Sequence, residues 1–402
     1  MIRPIRPIHP FPARMAPELA IAELRRLKVP SLVLDPMAGS GTVVRQALEL
    51  GHRAKGFDLD PLAVLMATVW TTPTDPTALD RFCRRVLDEV RATATAGIRL
   101  SWIDEDEETR RFAEYWFADP QRSDLRRISY VLARLDEPRR SAASRIAASV
   151  LRIALSRIII TKEQGASLAR DVSHSRPHKV VEESSFDVMS AFERSVGQVC
   201  RLLATAPPSG NAEIKVGDAR SLRSIDNASV DAVLTSPPYL NAIDYMRGHR
   251  LSLIWLGYRL ADLRQIRANS IGAERGSDNG NAAQLFGDIQ ESMCDTRQLP
   301  ARHAAMILRY AEDVYRFVSE LARVLRPDGR AILVVGNSCL KGAFIRNSNG
   351  VVRAAFMVGL KLTHKIERQL PVQHRYLPMP RSSDVPLGKR MRTESVLTFK
   401  HR

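Results

Sequence analysis

Three acidic residues and one glycine-rich turn are the features of this sequence best able to bind a small molecule. The segment DPMAGSGT follows the apolar run SLVL, so Asp35 stands where a buried strand ends. Gly39 and Gly41 let a ligand approach the backbone closely and allow dihedral angles closed to other residues. A phosphate loop would need a lysine after the last glycine, where Thr42 and Val43 stand here. The turn therefore predicts a ligand that presents an amine to Asp35.

Two further carboxylates stand at the ends of later strands. GFDLD places Asp58 where the acidic residue of a dinucleotide fold accepts both hydroxyls of a ribose, with Asp60 as the alternative. VGDAR places Asp218 after a third strand, where it could accept from an adenine amino group. One acceptor each for an amine, a ribose and an adenine suits S-adenosylmethionine better than a dinucleotide.

The segment TSPPYLNAIDY carries a different kind of chemistry. Prolines cannot donate to a sheet ladder, so the strand VDAVL must end at Pro237 and Pro238, which also hold the backbone rigid. The hydroxyl of Ser236 and the carbonyl of Pro237 leave two hydrogen-bond acceptors at this corner, and Tyr239 adds a flat aromatic face.

The segments that carry these residues alternate strands with helices, which predicts a parallel sheet covered on both faces. We predict an α/β fold, a Rossmann-like, doubly wound and mostly parallel sheet with a large helical insertion. Residues 1–77 would form the cofactor-binding first part and residues 78–206 the mainly helical insertion. Residues 207–402 would form the catalytic remainder with a basic C-terminal segment.

Composition indicates a nucleic-acid partner and a cytoplasmic location. Sixty basic and 44 acidic residues give a net charge of +16, and such an excess favours binding to phosphates because neutralised phosphates release counterions. No apolar window is long enough for a membrane span, and the N-terminus lacks the apolar core of a secretory signal. Four widely spaced cysteines are typical of a reducing compartment and predict no metal site.

The order DPMAGSGT, GFDLD, GDA and TSPPY resembles the amino-group DNA methyltransferases, which act on N4 of cytosine or N6 of adenine. HPFPARMAPELA, ahead of the first strand, is similar to that family's additional cofactor motif. The resemblance implies S-adenosylmethionine as methyl donor and a duplex DNA whose target base flips out of the helix. It implies these cofactor-binding residues: Phe11, Asp35, Pro36, Met37, Ala38, Gly39, Gly41, Thr42, Asp58 and Asp218. It implies these catalytic residues: Ser236, Pro237, Pro238 and Tyr239.

The target base is less narrowly defined than the reaction. Serine in the first motif position favours N4 of cytosine among the relatives, whereas aspartate or asparagine favours N6 of adenine. An N6-adenine DNA methyltransferase and an RNA base N-methyltransferase are therefore the alternatives. The absence of a Pro-Cys dipeptide disfavours methylation at carbon 5 of cytosine, which needs a cysteine nucleophile.

Three basic or polar segments are candidates for contact with DNA. Residues 141–180 carry seven basic and two acidic side chains, and their turn-rich part could contact phosphates or base edges or could be a solvated loop. Asn241 follows the Ser-Pro-Pro-Tyr motif, and the C-terminal segment could clamp the backbone or be a basic surface strand. The predicted DNA-binding residues are Lys162, Arg170, His174, Arg176, His178, Lys179, Asn241, Arg390 and Arg392.

Overall fold

The computed structural model describes residues 5–11, 15–136, 141–161, 163–170, 177–240, 244–272, 282–297, 299–369 and 393–402. The strands are β1 (Leu32–Asp35), β2 (Arg53–Asp58), β3 (Ala169–Arg170), β4 (His178–Lys179), β5 (Glu213–Val216), β6 (Val230–Thr235), β7 (Leu325–Gly336), β8 (Ser338–Leu340), β9 (Ala343–Ile345), β10 (Leu360–Gln369) and β11 (Thr393–His401).

The helices alternate with the strands in the two outer parts of the chain and follow one another in its middle. They are α1 (Pro17–Leu24), α2 (Thr42–Glu49), α3 (Pro61–Thr71), α4 (Pro76–Ala92), α5 (Ser101–Asp104), α6 (Glu107–Trp116), α7 (Asp119–Ala133), α8 (Ala142–Ile159), α9 (Val188–Thr205), α10 (Met246–Leu253), α11 (Leu260–Ala268), α12 (Ala282–Met293), α13 (Ala301–Val324) and α14 (Asn347–Met357). Within the described ranges, no helix combines the length and apolar content that crossing a membrane requires.

Seven strands form one sheet in the order β10, β11, β7, β6, β1, β2, β5. The five strands from β7 to β5 are mutually parallel, and β11 is antiparallel to both of its neighbours. The apolar runs that predict buried strands lie at its centre, where Val33, Leu34 and Val233 are almost fully buried. The predicted fold class, a Rossmann-like, doubly wound and mostly parallel sheet with a helical insertion, is confirmed.

Strand order decides which loops meet. β1 lies between β2 and β6, with Val33 opposite Ala232 and Leu34 opposite Val233 in the register with β6. The chain returns to the sheet centre at β6 after the insertion and after β5 at the edge. The carboxyl ends of β2, β1 and β6 therefore lie side by side. Ligands of open α/β sheets bind beyond these strand ends.

Helices α4 to α9 fill the stretch between α3 and β5, together with an antiparallel pair of β3 and β4. They share a hydrophobic core with α10 and the turn that follows it, outside the insertion. Phe117 meets Trp255 edge to face at a centroid distance of 5.0 Å, and the hydroxyl of Ser129 donates to the Trp255 carbonyl at 2.8 Å. The insertion is thereby fixed to the segment that follows the Ser-Pro-Pro-Tyr motif.

Candidate active site

A side-chain hydrogen bond joins the acidic end of β1 to the end of β6. The Thr235 hydroxyl donates to Oδ1 of Asp35 at 2.7 Å, and both side chains are buried. Ser236 is the next residue after Thr235. The predicted acceptor for a ligand amine and the predicted catalytic corner are therefore adjacent at one edge of the sheet.

Asp35 lies in an environment that disfavours its charged form. Burial raises the pKa of Asp35 to about 7, although the Thr235 hydroxyl and the Met37 N–H, 3.2 Å from Oδ1, both lower it. No described residue donates to the other oxygen, Oδ2. An ammonium group brought to that oxygen would restore the charge of the carboxylate.

The glycine turn has the backbone that its sequence predicts. Gly39 and Gly41 have φ values of +51° and +87°, and Gly41 begins the first turn of α2. A Cβ at Gly39 would lie 3.1 Å from the Phe11 ring, and one at Gly41 would lie 2.9 Å from Ala67. The predicted contact residue Phe11 is thus packed on the turn although it belongs to the N-terminal segment.

The same turn holds polar atoms that the described part of the chain leaves without a partner. The hydroxyl oxygens of Ser40 and Thr42 are buried and make no hydrogen bond. Buried polar groups are rarely left unsatisfied, so these two hydroxyls point to a bound polar ligand or ordered water. Pro36, Met37 and Ala38 form the first part of the turn, with the Ala38 N–H bonded to the Phe57 carbonyl at 2.8 Å.

Asp58 organises the loop as well as facing the site. Its Oδ2 accepts from the Gly39 N–H at 2.8 Å, and its Oδ1 accepts from the Asp60 N–H at 2.9 Å. Burial, followed by the charge of Asp60, raises the pKa of Asp58 to about 6. A half-buried carboxylate oriented by two backbone donors has remaining lone pairs to offer to hydroxyl groups.

Asp60 has a role distinct from that of Asp58. It caps α3 by accepting from the Leu62 N–H at 2.9 Å, and its second oxygen bonds Nδ1 of His249 on α10. Burial alone would raise the pKa of Asp60, but the charge and hydrogen bond of His249 hold it below its ordinary value. The Asp-Pro pair at the start of α3 is the sequence signal for the cap. No residue pattern near His249 predicts its hydrogen bond to Asp60.

An aromatic group connects α10 to the glycine turn. The Phe11 ring lies 5.3 Å from the ring of Tyr245 and 5.7 Å from that of His249, measured between centroids. His249 is only 7% exposed. One cluster therefore joins the N-terminal segment, the turn after β1 and the helix after the Ser-Pro-Pro-Tyr motif.

Asp218 carries an ion pair that its sequence position does not reveal. The guanidinium of Arg220 donates to Oδ2 of Asp218 at 2.7 Å and to Asp313 at 2.5 Å. Burial would lower the pKa of Arg220, but the two carboxylates raise it above its ordinary value. Burial raises the pKa of Asp313, whereas the charge of Arg220 lowers it. An adenine amino group would share Asp218 with this arginine.

The Ser-Pro-Pro-Tyr corner is held from two sides. The Ser236 hydroxyl donates to the Val334 carbonyl at 3.1 Å, so its proton is occupied while its oxygen lone pairs remain able to accept. The hydroxyl of Tyr310 on α13 donates to the Pro238 carbonyl at 3.0 Å. Burial, followed by the charges of Asp313 and Tyr239, raises the pKa of Tyr310 above its ordinary value. The buried Pro237 and the half-buried Tyr239 lie between these two supports.

Three of the predicted DNA-binding residues lie on the pair of short strands in the insertion. Arg170 on β3 pairs with His178 on β4, and both are exposed. Lys179 is half-buried and forms an ion pair with Glu182. The other predicted DNA-binding residues lie outside the described residues: Lys162, His174, Arg176, Asn241, Arg390 and Arg392.

Three curated relatives are similar to parts of this chain, and all three are Type II methyltransferases. M.MvaI of Kocuria varians is 38% identical over 77 residues, covering 18% of this chain and 17% of that protein. M.MjaII of Methanocaldococcus jannaschii is 31% identical over 85 residues, covering 21% and 16%. M.BsoBI of Geobacillus stearothermophilus is 23% identical over 249 residues, covering 58% and 49%. The resemblance predicted from the motifs is confirmed.

These relatives match in part only. The chain spans less than a fifth of the length of the first two and about half of the third. No family model matches the chain. A solved SAM-dependent methyltransferase of Methanosarcina mazei aligns over 94% of this chain and 96% of that one, at 10% identity and a TM-score of 0.33, too low by itself to establish a shared fold.

Proposed function

We propose that this protein transfers a methyl group from S-adenosylmethionine to an exocyclic amino nitrogen of a DNA base, with N4 of cytosine favoured. The observation that carries the proposal is the Thr235 to Asp35 hydrogen bond, which places the Ser-Pro-Pro-Tyr corner beside the glycine turn. The similarity to Type II methyltransferases supports the same reaction class.

The residues at the turn fit S-adenosylmethionine. The open oxygen of Asp35 suits an ammonium group, and the unpartnered hydroxyls of Ser40 and Thr42 suit a polar ligand tail. Asp58 has lone pairs for ribose hydroxyls, and Phe11 supplies an apolar wall against Gly39. When bound, S-adenosylmethionine supplies an electrophilic methyl on a positively charged sulfur.

The catalytic corner would activate the amino group of the target base. The oxygen of Ser236 and the carbonyl of Pro237 accept from its two N–H bonds, which concentrates the lone pair on nitrogen and stabilises the charge that develops there. Pro237 and Pro238 hold the backbone in place, so little reorganisation accompanies the reaction. Tyr310 supports this geometry from behind through the Pro238 carbonyl.

The base must leave the duplex to reach this corner. Tyr239 would stack against the flipped base, which offsets part of the free energy of unstacking. We propose that the insertion at residues 78–206 reads the surrounding sequence, with Arg170, His178 and Lys179 on its strand pair. The same proposal includes the candidates that lie outside the described residues: Lys162, His174, Arg176, Asn241, Arg390 and Arg392.

The identity of the methylated base tests the function. DNA from cells that express the chain is digested to nucleosides and analysed by mass spectrometry, with cells that express Tyr239→Ala as the control. We expect 4-methylcytosine with the wild-type chain and none with the variant. Appearance of 6-methyladenine alone would reassign the target base, and methylation of RNA but not of DNA would overturn the DNA substrate.

A further inference from the structure

We propose that one face of α6, together with α10 and α11, holds the DNA backbone between the strand pair of the insertion and the catalytic pocket. This inference rests on the proposed function. We call this face the arginine–aromatic surface, and its residues are Phe112, Tyr115, Lys179, Arg247, Arg250 and Arg267.

The outer end of the arginine–aromatic surface lies at the strand pair. The ammonium of Lys179 on β4 lies 5.2 Å from the ring centroid of Tyr115 on α6, close enough for a cation–π contact. Tyr115 is nevertheless 55% exposed, which is unusual for a large aromatic side chain. Arg170, on the neighbouring strand, is exposed as well.

The inner end of the arginine–aromatic surface lies one turn closer to the N-terminus of α6. The guanidinium of Arg250 lies 5.0 Å from the ring centroid of Phe112, three residues before Tyr115. Within the described residues, no carboxylate lies within ion-pair distance of Arg250, and its Nε is buried without a hydrogen-bond partner. Burial, followed by the charge of Arg267, lowers the pKa of Arg250. The group is a cation whose surroundings do not balance its charge.

Two more arginines converge beside it on a single carboxylate. Asp244 accepts from Arg247 at 3.0 Å and from Arg267 at 2.5 Å, and these arginine side chains are 41% and 44% exposed. Two guanidinium groups therefore share one acidic partner, and Arg250 beside them has no ion-pair partner among the described residues. An anion placed there would complete the charge balance, and the planar guanidinium fork suits a phosphate.

Two of the three glutamates of α6 do not cancel this charge. Glu107 pairs with Arg111 one turn later, and Glu108 pairs with Arg264 on α11, both outside the arginine–aromatic surface. The third, Glu114, is exposed, and Lys179 is paired with Glu182, so the excess positive charge lies at the inner end of the surface. Guanidinium groups beside aromatic rings suit a nucleic-acid backbone better than a protein partner.

The arginine–aromatic surface ends at the catalytic site. Asp244 precedes Tyr245, whose ring lies 5.3 Å from that of Phe11, the N-terminal residue that packs against the glycine turn. DNA held by Arg247 and Arg267 would therefore pass close to the corner where the flipped base is methylated. The same face connects this point to the strand pair proposed to read sequence.

The salt dependence of DNA binding tests the inference. Binding of a mixed-sequence duplex oligonucleotide to the full chain is measured over a range of salt concentrations. The double variant Arg247→Gln/Arg267→Gln should reduce the slope of log affinity against log salt by about 2, because each phosphate contact contributes about 0.9. Arg297→Gln, which removes an exposed arginine paired with Asp295 after α12, should leave the slope unchanged.

Two further measurements separate the possible failures. Arg267→Gln alone, at an exposed position, should reduce the slope by about 1 even if the double variant folds poorly. Arg247→Lys/Arg267→Lys should retain most of the slope because it retains the charge. A wild-type slope in Arg267→Gln and in the double variant would overturn the inference while leaving methyl transfer intact. A wild-type chain that neither binds nor methylates DNA would instead overturn the proposed function.

Discussion

Ionisation of Asp35 should lower the free energy of unfolding of the ligand-free protein, and Asp35→Asn should restore it. The carboxyl is 3% exposed, and its pKa is raised from 3.8 to about 7. Between those values the unfolded chain releases its proton while the folded chain keeps it, so stability falls as pH rises and levels off above about 7. Asparagine has the shape of the protonated carboxyl and can still accept from Thr235 and Met37.

The size of the effect follows from the shift. At pH 8, above both pKa values, their difference of about 3 destabilises the folded state by about 4 kcal/mol, at about 1.4 kcal/mol per pH unit. At pH 5, only about 1 pH unit above the unfolded value, the destabilisation is about 1.5 kcal/mol. The advantage of Asp35→Asn over wild type should therefore grow by about 2 to 3 kcal/mol from pH 5 to pH 8. Urea unfolding of both ligand-free proteins at the two pH values measures this difference. Other titrating groups contribute equally to the two proteins, so their effects cancel in the comparison.

The same substitution should impair ligand binding. Asparagine presents no negative charge to an ammonium group, so the affinity of Asp35→Asn for S-adenosylmethionine should fall and lose its dependence on pH. Wild-type affinity should rise as pH passes upward through about 7, because the carboxylate forms there. An identical stability difference at pH 5 and pH 8 would show that Asp35 titrates normally, and the reasoning would be refuted.

Three further substitutions test the supports of the site. His249→Ala should weaken S-adenosylmethionine binding about tenfold, or about 1.4 kcal/mol, with a smaller change in kcat. The variant loses the ring packed on Phe11 and the bond that holds Asp60, whose N–H orients Asp58. Isothermal calorimetry and steady-state kinetics separate the two effects, and an equal loss in both would contradict the assignment. Tyr310→Phe should lower kcat and leave cofactor affinity unchanged, since it removes only the donor to Pro238; an unchanged kcat would argue against that support. Gly41→Ala should destabilise the protein by about 1 to 3 kcal/mol in urea unfolding, because φ is +87° and Ala67 lies 2.9 Å from the new Cβ; a neutral result would contradict the turn geometry.

The fold was largely predictable because local patterns determine it. Apolar runs ended by Asp35 or by Pro237 indicate buried strands, and the helices between them require a parallel sheet. Alternation along the chain does not reveal strand order. That order depends on packing across the sheet, and it is the order that brings β6 beside β1.

The candidate site was predictable where one short segment carries its residues. The turn around Gly39 and the corner at Ser236 can each be identified in the sequence, because few other structural roles require their residue types. The bonds from His249 to Asp60 and from Tyr310 to Pro238 join residues 189 and 72 positions apart. Such pairs are set by tertiary packing, and nothing in the local sequence of either partner signals them.

The most direct test of the central claim separates methyl transfer from cofactor binding at the catalytic corner. Purified Pro237→Ala and Tyr239→Ala are assayed with isotope-labelled S-adenosylmethionine and duplex DNA, and cofactor affinity is measured by calorimetry. Phe356→Ala, at an exposed aromatic residue on α14, is the control. We expect both corner variants to bind the cofactor as the wild type does and to lose transfer to DNA, while the control retains both. Full turnover in both corner variants would contradict the claim that residues 236–239 receive the target base beside the glycine turn.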